Sequence, residues 1–288
     1  MAILLKGAPV AAAISAKLEA RARALTEKGI VPCLAIVRMG NKPGDLAYEH
    51  AALNRCAQLG IEVSVIALDE TAALAEVLEH IEKINSDDSI HGCLILRPLP
   101  EHIDEEEVCE ALLPEKDMDC VTSHSLSRVF SGHGDGYYPC TAEACIEMLD
   151  YYGYDLSGAR VSVIGRSLVV GRPLSIMLQD RDATVTMCHS KTRNLYKTCR
   201  NKEILIVAAG HPGIVRETFV NPEQTIIDVG INDDGEGGIM GDVCFDRIEP
   251  LVSAITPVPG GVGSVTATVL AKHLISAAEK KHNIVNVK

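Results

Sequence analysis

The 288-residue sequence has no tryptophan, three phenylalanines and seven tyrosines, so aromatic side chains make up only 3% of it. Aliphatic packing must therefore carry the core, and the ring platforms on which single-stranded nucleic acids stack are excluded. Basic residues are also in deficit, 27 against 39 acidic ones, for a formal net charge of −12. An acidic chain is a poor partner for nucleic acid or anionic membranes, although the total says nothing of one local site. A signal-peptide pattern is missing too: Met1 to Gly7 has a short apolar run and one lysine but no long apolar centre. The longest uncharged stretch, Pro250 to Ala271, could span a bilayer by length, but Pro250, Pro257, Pro259 and its glycines make it a buried loop leading into a helix. None of the ten cysteines is spaced C-x-x-C, and clustered Cys/His pairs are absent. The expectation is no metal, and reduced, buried thiols in a cytoplasmic protein.

Hydrophobic residues make up 47% and charged ones 23%, ordinary for a globular protein, and the length suits two domains. Short apolar runs alternate with charged, helix-like stretches, which predicts an α/β protein with mostly parallel strands. The expected strands of the first part are Val31 to Arg38, Ile61 to Leu68 and His91 to Leu96, with helices over Asp45 to Leu59 and Thr71 to Ser86. The acidic run Glu101 to Asp119 reads as a solvated helix and loop. Thr141 reads as the N-cap of a helix reaching Tyr152. A second series follows, with strands over Arg160 to Ile164, Ala183 to Cys188, Glu203 to Ala208 and Thr225 to Val229. The last expected helix is Thr266 to Lys280.

Arg160 to Pro173 (RVSVIGRSLVVGRP) is an apolar strand, a glycine, a second glycine and a helix start. An open α/β sheet places a nucleotide at such a turn, because helix amides favour phosphate. Gly165 and Gly171 are six apart, with Arg166 and Ser167 between them, so this is not G-x-G-x-x-G, and a plain strand-to-helix turn is an equal reading. The next strand adds information. A site for NAD ends its second strand with an acidic residue that holds the ribose hydroxyls. Here the strand ends in His189-Ser190-Lys191-Thr192-Arg193, hydroxyls and cations suited to a ribose 2′-phosphate, so the expected cofactor is NADP. Eight basic and two acidic residues lie between Arg160 and Arg200, a local balance of +6 inside the acidic chain. Asp228, in IIDVGIN, either orders the loop at its strand end or merely caps it.

PCT (Pro139 to Thr141), VIGRSLVVGRPL (Val163 to Leu174), ATVTMCHSKT (Ala183 to Thr192), IIDVGIN (Ile226 to Asn232), GDV (Gly241 to Val243) and TPVPGGVG (Thr256 to Gly263) occur together in this sequence. With RPLPEHID (Arg97 to Asp104) and PEKDMDC (Pro114 to Cys120), they closely resemble the methylenetetrahydrofolate dehydrogenase/cyclohydrolase family. The resemblance runs nearly end to end. It implies two α/β domains with a cleft between them: a folate-binding catalytic domain over 1–140, with a helix over 267–288 packing back on it, and a Rossmann-like NADP-binding domain over 141–266. It implies a tetrahydrofolate derivative as substrate, NADP as cofactor and a homodimer as the assembly. Tyr48 corresponds to the tyrosine that stacks on the pterin-bearing substrate, and Asp119 to the folate-binding aspartate; both are the expected catalytic residues. Pro259, Gly260 and Gly261 join them on the substrate, while Gly165, Arg166, Ser167, Gly171, Ser190, Arg193 and Ile231 are the expected cofactor contacts.

Four positions depart from the family pattern. Ala52 stands where a lysine one helical turn after the tyrosine is usual, and Leu96 where its partner glutamine is usual. Asp45 replaces a serine and Ser264 a proline. Loss of a buried polar pair as a unit is nearly neutral, whereas loss of one member costs about 1–3 kcal/mol. Hydrolysis of a methenyl bridge needs water activation and proton transfer, which a lysine assists; hydride transfer is mainly a positioning task. The expectation is a dehydrogenase with weak or absent cyclohydrolase activity. The alternatives are a dehydrogenase for another reduced pterin or imine-like substrate, and a catalytically silent NADP-binding paralogue.

Overall fold

The computed structural model describes residues 1–235 and 237–284. From the N-terminus the chain forms β1 (Ile3–Leu4), α1 (Gly7–Thr26), β2 (Cys33–Met39), α2 (Pro43–Gln58), β3 (Glu62–Leu68), α3 (Leu74–Ser86) and β4 (Gly92–Ile95). Then come α4 (Glu105–Glu110), α5 (Ser123–Ser131), α6 (Cys140–Tyr151), β5 (Arg160–Ile164), α7 (Gly171–Gln179) and β6 (Thr184–Cys188). The remainder is α8 (Leu195–Arg200), β7 (Ile204–Val207), β8 (Thr225–Asp228), β9 (Asn232–Asp233), β10 (Ile239–Met240), α9 (Phe245–Ile248), β11 (Ala254–Ile255) and α10 (Gly263–Lys281). Two compact units result. One comprises Ala13–Cys140 and the chain from Ala267 onward; the other comprises Met1–Ala12 and Thr141–Thr266.

The first unit holds a parallel three-stranded sheet in the order β3-β2-β4. Its central strand reads CLAIVRM and is buried from Leu34 to Val37, as a parallel strand covered on both faces must be. Ala35, Val37 and Ile95 from the sheet pack with Val77, Ile81 and Ile84 of α3, spaced to put one helix face inward. The second unit holds six parallel strands in the order β1-β11-β8-β7-β5-β6. Strand β5 has β6 on one side and β7 on the other, so the chain reverses direction across the sheet there. Such a switch point opens a crevice at the carboxyl ends of the strands, where open α/β sheets bind ligands. Both cores are aliphatic, as the shortage of aromatic residues requires.

Several expectations change. Helix α1 and strand β1 had no counterpart in the sequence reading. The first twelve residues belong with the six-stranded unit rather than with residues 13–140, because Ile3 and Leu4 extend that sheet by pairing with Ala254 and Ile255. Glu101 to Asp119 is not simply a solvated helix and loop: Ile103, Val108, Cys109 and Leu112 enter the core and Lys116 to Met118 are buried. Helix α6 starts at Cys140, one residue before the expected cap. In the three-stranded unit, Arg21 of α1 grips Glu279 of α10 through two bonds of 3.0 and 2.6 Å. Residues 285–288 of the expected C-terminal segment lie outside the described residues. Among the described residues no helix is long and apolar enough to cross a membrane, and all ten cysteines are free, eight of them buried.

Candidate functional site

In the six-stranded unit the turn after β5 is closed by two glycines. Gly165 has φ 131°, and a Cβ there would collide with the Ala208 carbonyl oxygen. A Cβ on Gly171 would collide with the Gly165 carbonyl in turn. Ser167 accepts from the Val170 amide at 3.1 Å, while Arg166 and Ser167 remain exposed. No side chain caps α7. The turn therefore has the tightness and open helix start that a phosphate needs.

The turn after β6 is organised internally by Thr192, whose hydroxyl accepts from the His189 amide at 2.9 Å. Ser190, Lys191 and Arg193 are left exposed, and the sequence has no acidic residue between Asp182 and Glu203. A ribose with free hydroxyls finds no carboxylate here; a 2′-phosphate finds cations and a hydroxyl.

At the ends of β7 and β8 two carboxylates do the organising. Asp228 accepts from the amides of Gly230, Asp242 and Val243 at 3.0, 3.1 and 2.9 Å, so it orders the loop rather than merely capping its strand. Asp242, fully buried, accepts from the amides of Ala209, Gly210 and His211 at 2.6, 3.0 and 2.8 Å and from Asn232 Nδ2 at 2.9 Å. Ile231 stands out of this loop, 62% exposed. Sequence reasoning had Asp242 only as a letter in GDV, because its partners lie 31 to 33 residues away along the chain. Pro259 and Gly260 are exposed and Gly261 is buried; the Gly260 carbonyl accepts from the Gly7 amide at 2.8 Å. Ser264 donates its amide to the Gly261 carbonyl at 3.1 Å.

In the three-stranded unit Tyr48 and Asp119 are brought together. Tyr48 is half-buried on α2, its hydroxyl sealed from solvent and without a hydrogen bond among the described residues. Three other buried side-chain atoms share that state, Ser162 Oγ, Gln224 Oε1 and Thr268 Oγ1, none of them on an expected site residue. Burial, then the nearby Asp119 charge and the Cys140 thiol, push the Tyr48 phenol well above its ordinary range. Burial also raises Asp119, partly offset by the Cys140 amide, which donates to Asp119 Oδ1 at 2.8 Å.

The loop that carries Asp119 is held on both sides. Lys116 Nζ donates to the carbonyls of Ile84, Asn85 and Asp87 at 2.5, 3.0 and 2.7 Å, closing the C-terminal end of α3. Asp117, fully buried, accepts from the Val121 and Thr122 amides and the Thr122 hydroxyl, each at 2.9 Å. Cys120, directly after Asp119, is held at φ 58°, a conformation side chains rarely adopt. Neither Lys116 nor Asp117 was singled out from the sequence, although both stand in the PEKDMDC motif.

The departures fall where they matter for polarity. Ala52, one turn after Tyr48, is 0% exposed, and Leu96 is 4% exposed. Asp45 is half-buried in the first turn of α2 and raised by burial, with Lys42 and Arg38 opposing. Lys42 is itself committed to the Pro98 carbonyl at 2.7 Å. A polar cavity lined by Asn41, Lys42, Asp69, Glu70 and Thr71 opens at the ends of β2 and β3; neither Tyr48 nor Asp119 lines it. Among the described residues no group of three or more His, Cys, Asp or Glu could hold a metal ion.

One pH effect follows from this geometry. Burial raises Asp228 to about 7 against three amide bonds that lower it, and the Asp242 charge adds to the rise. A carboxyl whose folded pKa lies above its unfolded value of 3.8 stabilises the fold at low pH and loses that contribution as pH climbs to about 7. Urea midpoints across pH 4 to 8 are expected to fall with pH more steeply in the wild type than in Asp228→Asn; parallel curves would contradict the assignment.

Comparison with known proteins fits both units. A sequence profile described as "Tetrahydrofolate dehydrogenase/cyclohydrolase, catalytic domain" matches residues 5–119, and one described as "Tetrahydrofolate dehydrogenase/cyclohydrolase, NAD(P)-binding domain" matches residues 139–282. A curated relative from Clostridium botulinum, "Bifunctional protein FolD", is 44% identical over 97% of this chain and 99% of its own length. The crystal structure of a FolD methylenetetrahydrofolate dehydrogenase/cyclohydrolase from Campylobacter jejuni superposes with a TM-score of 0.93 at 36% identity, covering 97% of this chain and 99% of that one. The Trypanosoma brucei FolD, solved with NADP and an inhibitor, superposes with a TM-score of 0.92 at 31% identity, covering 97% and 98%. With both profiles matched and relatives similar along nearly their whole length, the chain belongs to the tetrahydrofolate dehydrogenase/cyclohydrolase family.

Proposed function

We propose that this chain is an NADP-dependent methylenetetrahydrofolate dehydrogenase that oxidises 5,10-methylenetetrahydrofolate to the 5,10-methenyl form, with little cyclohydrolase activity. The observation that carries the reading is the Tyr48 hydroxyl, sealed from solvent with the Asp119 carboxyl and the Cys140 thiol as its polar neighbours, on the unit matched by the family's catalytic domain. On this reading Tyr48 lies on the pterin-bearing substrate and completes its hydrogen bonding there. Asp119, fixed by Cys140 and by the Lys116 and Asp117 anchors of its loop, accepts from pterin N–H groups and fixes orientation. Pro259, Gly260 and Gly261 are assigned to the substrate as well.

The cofactor residues fit NADP. The turn of Gly165, Arg166, Ser167 and Gly171 takes the pyrophosphate, Ser190 and Arg193 the 2′-phosphate, and exposed Ile231 packs against the cofactor. When bound, the nicotinamide accepts a hydride. The methylene carbon that loses it leaves a cationic methenyl bridge, and no protein group has to move a proton in that step. Hydrolysis of the bridge does need proton transfers. Ala52 and Leu96, both buried and apolar, offer none. Homodimerisation and a cytoplasmic location are part of the same proposal, and size-exclusion chromatography addresses the first.

Methylenetetrahydrofolate supplied with NADP is expected to yield reduced cofactor with little 10-formyl product; normal formation of both would overturn the one-activity reading. Ala52→Lys alone should lower stability by about 3 kcal/mol, as an unpaired buried charge does, and Leu96→Gln added to it should recover part of the loss and raise 10-formyl output. An additive cycle in urea unfolding, with unchanged output, would show that the pair is not limiting. Arg193→Ala should raise the KM for NADP about tenfold, the scale of one charged hydrogen bond, without changing any activity with NAD. Tyr48→Phe removes an unsatisfied buried hydroxyl, so its unfolding midpoint should match or exceed the wild type while kcat/KM for the folate falls about tenfold. A destabilised Tyr48→Phe with normal kcat/KM would place the hydroxyl in the core instead.

A further inference from the structure

Three consecutive amides, of Ala209, Gly210 and His211, turn toward one point at the end of β7. Such a concavity of N–H groups is an anion site. Here the anion is the protein's own: Asp242 Oδ2 takes the first two amides and Oδ1 takes the third. Oδ1 also takes Asn232 Nδ2, from the loop after β8. Four donors fill the four lone-pair positions of a carboxylate, so one side chain joins two loops that meet nowhere in the sequence. The carboxylate lies directly against the Gly230 backbone, where a Cβ would overlap Asp242 Cγ.

The consequences reach the phosphate turn. With the amides of residues 209–211 committed to Asp242, the Ala208 carbonyl is the group that packs on Gly165. Asn232 adjoins Ile231, the exposed residue assigned to the cofactor. The adenosine half of a dinucleotide lies toward the second strand of such a sheet, here β6, so the other half falls toward β7 and β8.

We propose that Asp242 is a positioning residue for the cofactor: by filling the amide nest at Ala209–His211 and holding Asn232, it fixes the β7 and β8 loops in the form that receives the nicotinamide half. The proposal rests on the assignment of NADP to this unit. Asparagine at 242 keeps the size but offers one oxygen with two lone pairs, so two of the four donors lose their acceptor and face an NH2 group instead.

The test is NADPH binding without folate, read from the emission of the reduced nicotinamide; the chain has no tryptophan to interfere. Asp242→Asn is expected to raise the dissociation constant for NADPH about tenfold. The factor should be the same for NADH, since the turn at Ser190 and Arg193 is untouched. Hydrogen exchange should show lost protection at the amides of Ala209, Gly210 and His211. Asn232→Ala removes one donor and leaves the nest filled, so about a threefold loss is expected with those amides still protected. A folded Asp242→Asn that binds NADPH as the wild type does overturns the proposal, and so does a loss confined to NADPH. Should Asp242→Asn fail to fold, an unchanged NADPH constant for Asn232→Ala overturns it. Because folate is absent, failure here is separate from failure of the dehydrogenase reading, which would appear as a wild type that binds NADPH but turns over no folate.

Discussion

In both sheets the inner parallel strands are buried over most of their length, Leu34 to Val37 in one and Val161 to Ile164 with Ile204 to Val207 in the other, so their polar chemistry is confined to their ends. That constraint explains why the loops are where the molecule spends its unusual residues. A strand sealed on two faces has no room for a charged side chain, and its last residue is the first place where backbone groups need partners. Asp228 closes β8 in this way, and Lys116 closes α3. Function is then laid on the loops at those ends.

A recurring device follows from it. Asp117, Asp228 and Asp242 are all buried carboxylates bonded largely to backbone amides. Each converts a flexible connection into a fixed one, and a hydrogen bond to a charged acceptor is worth about 1.5–3 kcal/mol, against about 1 for a neutral one. Against this background Tyr48 stands apart because its hydroxyl, sealed from solvent, feels the charge of the Asp119 carboxyl. Where the surrounding polar groups are satisfied internally, a buried hydroxyl next to a buried carboxyl marks the place left for a ligand.

Much of this was legible in the sequence, and what was not had physical reasons. The runs CLAIVR, VSVI and ILIV announce buried strands because contiguous branched aliphatic residues suit a sheet covered on both faces. Tyr48 and Asp119 could be singled out because the family resemblance assigns both; alone, each reads as an ordinary helix tyrosine or loop acid. A two-residue strand such as Ile3–Leu4 has no period to detect, and its partner lies at the far end of the chain. Helix α1 is rich in alanine, which fits either face of a helix and blurs the apolar stripe. The acidic run misled because charge was counted and the interleaved Ile103, Val108 and Leu112 were not. Asp242 was unreadable for a different reason: its role is defined by amides, which every residue has.

The pairing of β1 with β11 bears on the order of events during synthesis. Ile3 and Leu4 leave the ribosome long before Ala254 and Ile255 exist to receive them, while β2, β3 and β4 can pair as soon as Ile95 has emerged. The three-stranded sheet is therefore a local structure, closed early at little cost in loop entropy, and the six-stranded one depends on contacts of very long range. Until its outer edge is filled, β11 presents a bare backbone ladder to any other extended segment nearby. The segment ahead of α1 thus has two tasks separated in time: to stay unpaired while the first sheet forms, and then to cap the second.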